Sequence, residues 1–254
     1  MNILFTICGR AGSKGFKNKN LKEMNGVPLV YYTLASIKAY IDAHSENNVT
    51  VAVNTDSPEL VDCIKKQKTV NNIVFVERKE SLAGDTAPKV EVIKDTFLSL
   101  SKEKAFDVII DLDITSPYRR LEDLENIVSE YNNKEYDIVF SVVKARRSPY
   151  FNMVEKKENG FFRKICESNY TARQQAPQSF EMNASIYAYN PNFLSSQITK
   201  TILDYNCGII EMPDFLVLDI DSEEDFEMMQ MLHSYYCKLD NQLNNIYETA
   251  KRLS

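Results

Sequence analysis

The residues best suited to chemistry are three glycines and a group of basic side chains near the N-terminus. The chain has 254 residues but only seven glycines, and Gly9, Gly12 and Gly15 fall within seven consecutive positions. The basic residues of the same stretch are Arg10, Lys14, Lys17, Lys19 and Lys22. Glycine lets backbone N–H groups approach a ligand without a Cβ in the way, and lysine and arginine supply positive charge. The stretch therefore predicts a loop that cradles a polyphosphate.

Two better-known phosphate motifs do not fit this loop. Its glycines follow the spacing G-x-x-G-x-x-G, whereas a dinucleotide fingerprint needs G-x-G-x-x-G. A Walker loop needs four residues between its glycines, followed by Gly-Lys-Ser or Gly-Lys-Thr. A solvated basic turn between a strand and a helix remains the alternative interpretation.

A pair of carboxylates near the C-terminus predicts a metal site. Asp219 and Asp221 are two positions apart in a stretch that favours an extended backbone, which points alternate side chains to one face. Two carboxylates on one face could hold a magnesium ion. In the alternative interpretation, Asp221 or Ser222 caps the helix predicted to begin near Glu223.

Two further polar segments could also contribute functional groups: one precedes a predicted helix and the other follows a predicted strand. Residues 78–87 are polar and lead into a helix predicted at 88–101, so Asp85 or Thr86 could cap that helix. The apolar run 108–113 ends in acidic residues and continues into Thr115 and Ser116. Functional groups of open α/β sheets collect at such carboxyl ends of strands.

Composition limits the possible functions. Hydrophobic residues make up 44% of the chain, enough for one large α/β domain, and the formal net charge is −6. An acidic composition with one basic loop argues against nucleic acid as a partner. We expect a cytoplasmic protein, because no apolar run approaches the length of a membrane span and no signal peptide is recognisable. The five dispersed cysteines predict reduced thiols.

The elements that position these residues can be predicted from hydrophobic patterns. Predicted strands cover residues 3–7, 49–53, 73–76, 108–113, 138–143, 183–189 and 207–212. Predicted helices cover residues 28–40, 59–68, 88–101, 121–132 and 223–253. The alternation predicts a mainly parallel sheet covered on both faces, with the first strand in a central position. Residues 144–190 break the rhythm and predict an inserted hairpin, with a loop at 173–178 before the next strand.

Taken together, several stretches resemble the acylneuraminate cytidylyltransferases, which activate sialic acid and related nine-carbon sugars as CMP-sugars. The likeness runs nearly from end to end. The matching stretches are 10–15 (RAGSKG) with 19–21 (KNL), 82–86 (LAGDT), 115–119 (TSPYR), 173–175 (RQQ), Asn183 with Tyr187, and 219–221 (DID). Each stretch alone is a weak signal, but their order and spacing together are specific.

The resemblance implies roles for these residues. CTP would contact Arg10, Gly12, Ser13, Lys14, Lys19, Asn20, Arg78, Asp85, Thr86 and Ser116. The sugar would contact Asp113, Arg173, Gln174, Asn183 and Tyr187, with Arg173 binding its carboxylate through a two-pronged ion pair. Mg²⁺ would bind Asp219 and Asp221, and catalysis would depend on Lys14, Arg10 and Asp221. The sugar's anomeric hydroxyl would attack the α-phosphate and release pyrophosphate.

The resemblance also implies an architecture. We expect an α/β, Rossmann-like nucleotidyltransferase fold with a mixed, mainly parallel sheet, formed as a single domain over residues 1–254. The inserted segment, residues 144–190, would pair two subunits in a homodimer, and each site could then borrow groups from its partner.

One residue departs from the family pattern. Relatives usually carry glutamine where this chain has Asp113, so a neutral sugar-contacting amide is replaced by a carboxylate. Asp113 could accept hydrogen bonds from a differently substituted sugar, share the magnesium ion, or serve the fold alone.

Three functions follow as hypotheses. The leading one is a CMP-nonulosonate synthetase for a bacterial sialic-like sugar such as legionaminic or pseudaminic acid. The second is a nucleotidyltransferase for another sugar acid such as Kdo, whose enzymes usually carry arginine in place of Lys14. The third is a non-catalytic nucleotide-binding protein, which would have no need of the sugar-carboxylate clamp at Arg173.

Overall fold

The structure, a computed structural model, describes residues 1–12, 16–84 and 86–253. In chain order its strands are β1 (Asn2–Gly9), β2 (Glu23–Met24), β3 (Val27–Pro28), β4 (Asn48–Thr55), β5 (Ile73–Glu77), β6 (Val108–Leu112), β7 (Ile138–Lys144), β8 (Val154–Lys156), β9 (Phe162–Lys164), β10 (Phe180–Tyr189) and β11 (Cys207–Glu211). Its α-helices are α1 (Leu29–Ala43), α2 (Pro58–Lys66), α3 (Lys89–Leu100), α4 (Leu121–Asn133), α5 (Pro191–Ser195), α6 (Glu223–Leu239) and α7 (Asn241–Leu253).

Seven of these strands form one mixed sheet in the order β11-β7-β10-β6-β1-β4-β5. β1 pairs in parallel with β4 and with β6, whereas β10 runs antiparallel to both β6 and β7. The prediction of a mixed, mainly parallel sheet with an interior first strand is confirmed. Parallel order brings the carboxyl ends of β1, β4, β5 and β6 to the same edge, where functional groups can meet.

Both faces of the sheet are covered, as the continuous apolar run of β1 predicts. Ile3, Phe5 and Ile7 are fully buried in a cluster that includes residues of α1, α4, α6 and α7. Leu4 is fully buried on the other face, in a cluster with residues of α3 and α5. Alternate residues of one strand thus enter opposite cores.

Three local predictions differ from the structure. The predicted helix 223–253 is two helices, because the backbone is extended at Asp240, which ends α6. A small hairpin, β2–β3, lies between the basic loop and α1 and was not predicted. Pro88 occupies the N-cap position of α3 without a side-chain hydrogen bond, so Thr86 does not cap this helix. Asp85, the other candidate cap, lies outside the described residues.

The segment 144–190 has two structurally different parts. Its hairpin, β8–β9, forms a two-stranded sheet of its own. The prediction that this hairpin is inserted into the main sheet is therefore wrong. A turn of 3-10 helix at Arg173–Gln175 follows it, within the stretch predicted as loop. The last part, β10, is an interior strand of the main sheet. We call residues 145–179 the arm.

None of the helices within the described ranges is long and apolar enough to cross a membrane.

Candidate active site

The basic loop leaves the sheet at the end of β1 and is held from two sides. The backbone N–H of Ala11 donates to Asp56 Oδ1 at 2.8 Å, which ties the loop to the residue after β4. Asn20 Nδ2 donates to the carbonyl of Arg10 at 3.3 Å, which ties its two ends together. Gly12 has φ +72°, a left-handed conformation that glycine adopts without strain. Ser13 and Lys14, both predicted phosphate ligands, lie outside the described residues together with Gly15.

The far end of the loop is anchored in the core. Phe16 is buried and its ring lies 5.5 Å from that of Phe226 in α6. Lys19 Nζ then donates to the carbonyl of Ile220 at 2.9 Å and to Asp221 Oδ1 at 3.1 Å. The start of the chain and the predicted metal site, about 200 positions apart in sequence, are thereby joined.

A cleft of about 250 Å³ opens between these segments. Its lining residues are Cys8, Arg10, Lys19, Asn20, Arg78, Leu82, Gly84, Ala87, Lys89, Val92, Asp113, Thr115, Asp219 and Asp221. Seven of them were predicted as site residues: Arg10, Lys19, Asn20, Arg78, Asp113, Asp219 and Asp221. Four cationic side chains thus share the cleft with three carboxylates.

Arg78 is held rigidly at the edge of this cleft. It follows β5, is only 8% exposed, and donates from Nε to Asn54 Oδ1 at 2.9 Å and from Nη2 to the Asn54 carbonyl at 3.0 Å. Asn54 is itself fixed, because its amide donates to the Thr96 hydroxyl. A guanidinium fixed in this way is suited to bind phosphate oxygens with little ordering cost. Thr86 is exposed beyond this side of the cleft and is not among its lining residues.

Asp219 is the less exposed, partly buried member of the carboxylate pair. The hydroxyl of Ser116 donates to Asp219 Oδ1 at 3.1 Å, so Ser116 contacts the acid and not the open cleft. Burial and the nearby negative charge of Asp113 raise the pKa of Asp219 above its ordinary value. A cation placed here would relieve both effects.

Asp221 is the exposed member, and it does not cap α6. Ser222 is the N-cap residue: its hydroxyl accepts from the Asp225 N–H at 3.1 Å, and Asp225 Oδ2 accepts from the Ser222 N–H at 2.8 Å. Of the two residues predicted as possible caps, Ser222 is the one that caps α6. The Asp221 carboxylate instead faces Lys19 in the cleft. Neither aspartate is in a strand, but both line the same cleft.

These carboxylates suit Mg²⁺ only in combination with a substrate. Within the described ranges, no group of three or more His, Cys, Asp or Glu side chains is arranged to hold a metal ion. Mg²⁺ usually binds through one or two carboxylates, with waters and substrate phosphates completing its six ligands. Asp219 and Asp221 match that donor set.

The sequence did not predict the ion-pair cluster in which two lining residues of the cleft, Lys89 and Asp113, meet the buried Asp111. Lys89, the first residue of α3, places Nζ 2.7 Å from Asp111 Oδ2 and 2.6 Å from Asp113 Oδ2. Asp111 is fully buried, and its Oδ1 accepts from the Thr6 hydroxyl at 2.7 Å. Although burial opposes its ionisation, the Lys89 ammonium and bonds from Thr115 lower the pKa of Asp113 to about 2. The sequence signal that could have revealed this cluster is Asp111, an acidic residue within the apolar run 108–112.

A buried arginine fixes the backbone that carries Asp113. Arg119 is fully buried and donates from Nη2 to the Asp113 carbonyl, from Nη1 to the Thr33 hydroxyl at 3.2 Å, and from Nε to Ser185 Oγ at 3.0 Å. It therefore joins the turn after β6 to α1 and to β10. The arginine of the TSPYR stretch therefore has a structural role.

The predicted sugar ligands are not all in one place. Tyr187 lies beside Lys89, with the ammonium 5.6 Å from the ring centroid. Asn183 is buried, and its amide bonds to the Ser141 hydroxyl and the Leu216 carbonyl. Arg173 and Gln174 line a separate cavity on the arm, where Arg173 donates to the Ala145 carbonyl. The chain thus brings Asp113 and Tyr187 near the cleft but leaves Arg173 and Gln174 apart from it.

Comparison with known proteins decides the family. The family model described as Cytidylyltransferase matches residues 4–253. The chain belongs to the cytidylyltransferases.

Several relatives match most of the chain. The chain is 34% identical to "Post-translational flagellin modification protein B" of Campylobacter coli, over 91% of its own length and 94% of the relative's. It is 33% identical to "CMP-N,N'-diacetyllegionaminic acid synthase" of Campylobacter jejuni, over 91% and 95% of the two chains. Identity falls to 25% with "N-acylneuraminate cytidylyltransferase" of Streptococcus agalactiae, over 89% of this chain and 52% of that protein.

Solved structures show the same fold at lower identity. CMP:2-keto-3-deoxy-manno-octonic acid synthetase, complexed with CTP, superposes with a TM-score of 0.65 at 16% identity, covering 93% of this chain and 100% of the other. 4-Diphosphocytidyl-2C-methyl-D-erythritol synthase of Anaerococcus prevotii gives 0.59 at 12% identity, covering 92% and 98%. The nucleotidyltransferase fold predicted from the sequence is confirmed.

Proposed function

We propose that this cytidylyltransferase transfers CMP from CTP to a nonulosonic acid, a nine-carbon sialic-acid-like sugar, and releases pyrophosphate. The cleft carries this proposal: Arg10 at the carboxyl end of β1 and Arg78 at that of β5 line it together with the carboxylate pair Asp219 and Asp221. The relative named as a CMP-N,N'-diacetyllegionaminic acid synthase supports a diacetamido sugar as the acceptor.

The nucleotide would bind with its phosphates in the basic loop. Arg10 and Arg78 border the cleft from two strands, so both can contact the triphosphate. Transfer at a phosphate depends chiefly on positioning and on stabilising charge that develops on its oxygens. We assign Gly12, Ser13, Lys14, Asn20, Asp85 and Thr86 to the nucleotide by family resemblance, with Lys14 and Arg10 stabilising the transition state. Ser116 would act through Asp219.

Asp219 and Asp221 would hold Mg²⁺ together with the phosphates. When bound, the ion would neutralise charge on the phosphate oxygens and orient the group that is transferred. Asp219 is held in place by Ser116, whereas Asp221 must exchange Lys19 for the ion. Lys19 is then available for a phosphate oxygen.

The sugar would enter beside Asp113 and Tyr187. Its anomeric oxygen forms the new bond to the α-phosphorus, and the bond from that phosphorus to the β-phosphate oxygen breaks. The hydroxyl proton passes through solvent to the pyrophosphate that leaves. Asp113 is ionised and would accept hydrogen bonds from the sugar at a position remote from the sugar's own carboxylate, because like charges repel strongly in a closed site.

We also propose that two chains pair through the arm. Phe161 and Phe162 on its hairpin are 63% and 61% exposed, an uncommon exposure for adjacent aromatic residues. Arg173 and Gln174 lie on the arm outside the cleft of their own chain. In such a homodimer they would complete the partner's sugar site, with Arg173 binding the sugar carboxylate. We place the reaction in the cytoplasm, where reduced cysteines like the five unpaired ones of this chain are usual.

Pyrophosphate release tests the proposal. CTP and Mg²⁺ would be supplied with N,N'-diacetyllegionaminic acid, pseudaminic acid, N-acetylneuraminic acid or Kdo in separate reactions. We expect the highest kcat/KM with a nine-carbon acid and little turnover with Kdo. Preference for Kdo would contradict the assigned sugar class, and release with no dependence on any sugar would contradict transfer altogether.

A further inference from the structure

Lys89 occupies an unusual position for a basic residue. It is the first residue of α3, where the positive end of the helix dipole disfavours a cation. Its ammonium is nevertheless bound by two carboxylates, Asp111 and Asp113, at 2.7 and 2.6 Å. These ion pairs raise the pKa of Lys89 well above its ordinary value despite the opposing effect of burial. The group is therefore a permanent cation.

The cluster leaves hydrogen-bonding capacity unused. An ammonium has three N–H donors. Among the described contacts of Lys89, one donor bonds to Asp113 Oδ2, and Asp111 Oδ2 lies 2.7 Å from Nζ as the second ion-pair partner. The carboxylate of Asp113 has about four acceptor positions. Lys89, Thr115 N and Thr115 Oγ1 donate to three of them. Within the part of the chain that the structure describes, at least one donor on Lys89 and one acceptor on Asp113 thus remain next to each other.

Lys89 also lies where two cavities adjoin. It lines the cleft of the carboxylate pair and a second cavity of about 680 Å³, which Tyr187, Tyr189 and residues 199–202 help to line. A third of its side chain is exposed, and 22% of that of Asp113. A sugar held with its reacting end in the cleft could extend its far end past Lys89 into this second cavity.

We propose that Lys89 and Asp113 form a donor and acceptor pair that binds an amide or hydroxyl substituent of the nonulosonic acid and so selects the sugar. The inference rests on the proposed function. An amide matches the pair, because its carbonyl accepts from Lys89 while its N–H donates to Asp113. Asp111 acts through Lys89: it holds the ammonium in place but does not contact the sugar.

A purely structural role for Lys89 predicts something different. Asp111 is a fully buried carboxylate, and an unpaired buried charge destabilises a fold strongly. If Lys89 only neutralised Asp111, removing both charges would restore stability and activity together. If Lys89 also binds the sugar, stability would return without sugar recognition.

The test compares Lys89→Met with Lys89→Met/Asp111→Asn. Steady-state constants for CTP and for N,N'-diacetyllegionaminic acid would be measured with rates normalised to CTP-binding sites, and melting temperatures recorded alongside. Both variants should lose about 10- to 100-fold in kcat/KM for the sugar, the effect of losing a hydrogen bond to a charged group. A smaller number of folded sites lowers the rate but does not alter KM. The KM for CTP should therefore change by less than about threefold.

A second arm checks the substituent. In wild type we expect N-acetylneuraminic acid, which has one acetamido group fewer, to be the poorer substrate, and in Lys89→Met the ratio of the two sugars should approach one. Wild-type sugar kinetics in Lys89→Met, or recovered sugar kcat/KM in the double variant, would overturn the inference while leaving the proposed function intact. Absence of sugar-dependent pyrophosphate release in wild type would overturn both.

Discussion

At the scale of single residues, the ionisation of Asp113 has a measurable consequence. Its folded-state pKa is about 2, below the ordinary value of 3.8, because Lys89 and Thr115 stabilise its charge against the effect of burial. A depressed pKa contributes stability that is fully present above the unfolded-state pKa and is lost as pH falls toward the folded-state pKa.

We therefore predict that Asp113→Asn changes the pH dependence of unfolding. The difference in unfolding free energy between wild type and variant should be constant at mildly acidic pH and should shrink as pH falls from about 4 to about 2. Chemical denaturation at a series of pH values measures it. A difference that stayed constant across that interval would show that Asp113 gains no stabilisation from Lys89.

The adjacent residues Asp221 and Ser222 provide a matched pair for the metal assignment. Asp221→Asn should lower turnover by about a hundredfold and raise the Mg²⁺ concentration needed, because one metal ligand is lost. Ser222→Ala should instead destabilise the protein by about 1 kcal/mol through loss of the N-cap, with unchanged metal dependence. Activity titrated with Mg²⁺ and thermal unfolding distinguish the two. Unchanged Mg²⁺ dependence in Asp221→Asn would remove Asp221 from the metal site.

At the scale of elements, the turn from Asp113 to Arg119 depends on a buried guanidinium. Arg119 bonds to groups on the turn itself, on α1 and on β10. Replacing it with methionine would leave several buried acceptors without a donor.

We predict that Arg119→Met lowers the free energy of unfolding by about 3–5 kcal/mol. Arg252→Met is the matched control: Arg252 is exposed and bonds to groups of its own helix, α7, so its loss should cost less. Equal destabilisation by the two substitutions, measured by denaturant unfolding, would mean that the turn does not depend on Arg119.

The sequence predicted the elements of the sheet better than their pairing. The strands buried on both faces are continuous apolar runs, such as residues 3–7 and 108–112, and a short-range pattern is enough to find them. The antiparallel position of β10 between β6 and β7 depends on contacts between segments far apart in the chain, which no local pattern records. The break between α6 and α7 was missed because the apolar stripe continues across it.

The same distinction applies to the site. Resemblance to a family carries long-range information, and it led to the predictions at Arg10, Arg78 and the aspartate pair, which line one cleft. The cluster of Lys89, Asp111 and Thr6 was not predicted, because its members come from three elements that are far apart in the chain. Of the residues in contact with it, only Asp113 occupies a position of a family motif. An aspartate within an apolar strand and a lysine at a helix N-terminus are each unfavourable alone, and together they indicate a buried ion pair.

At the scale of the whole molecule, the arm separates two of the predicted sugar ligands from the cleft. If the arm pairs two subunits, Phe161→Ser/Phe162→Ser should produce a monomer, detected by sedimentation equilibrium. Met231→Ser is the control, because Met231 is 76% exposed on α6 and lies outside the arm. A dimer that survived the arm substitutions would place the interface elsewhere.

Mixed dimers test whether the sites are shared. A site built from Asp221 of one chain and Arg173 of the other is intact once in a hybrid of Asp221→Asn and Arg173→Ala subunits. We predict that mixing the two inactive variants under exchanging conditions restores activity. No recovery, with hybrid formation confirmed by mass, would mean that Arg173 serves its own chain.

Transfer of CMP to the sugar is tested most directly by following the phosphorus atoms of CTP. With CTP labelled at the α-phosphate and a nonulosonic acid as acceptor, we predict that the label enters a CMP-sugar while one pyrophosphate is released for each sugar consumed. ATP, GTP and UTP should support little transfer under the same conditions. Label recovered as free CMP at a rate independent of the sugar, or equal transfer from ATP and CTP, would contradict the assignment.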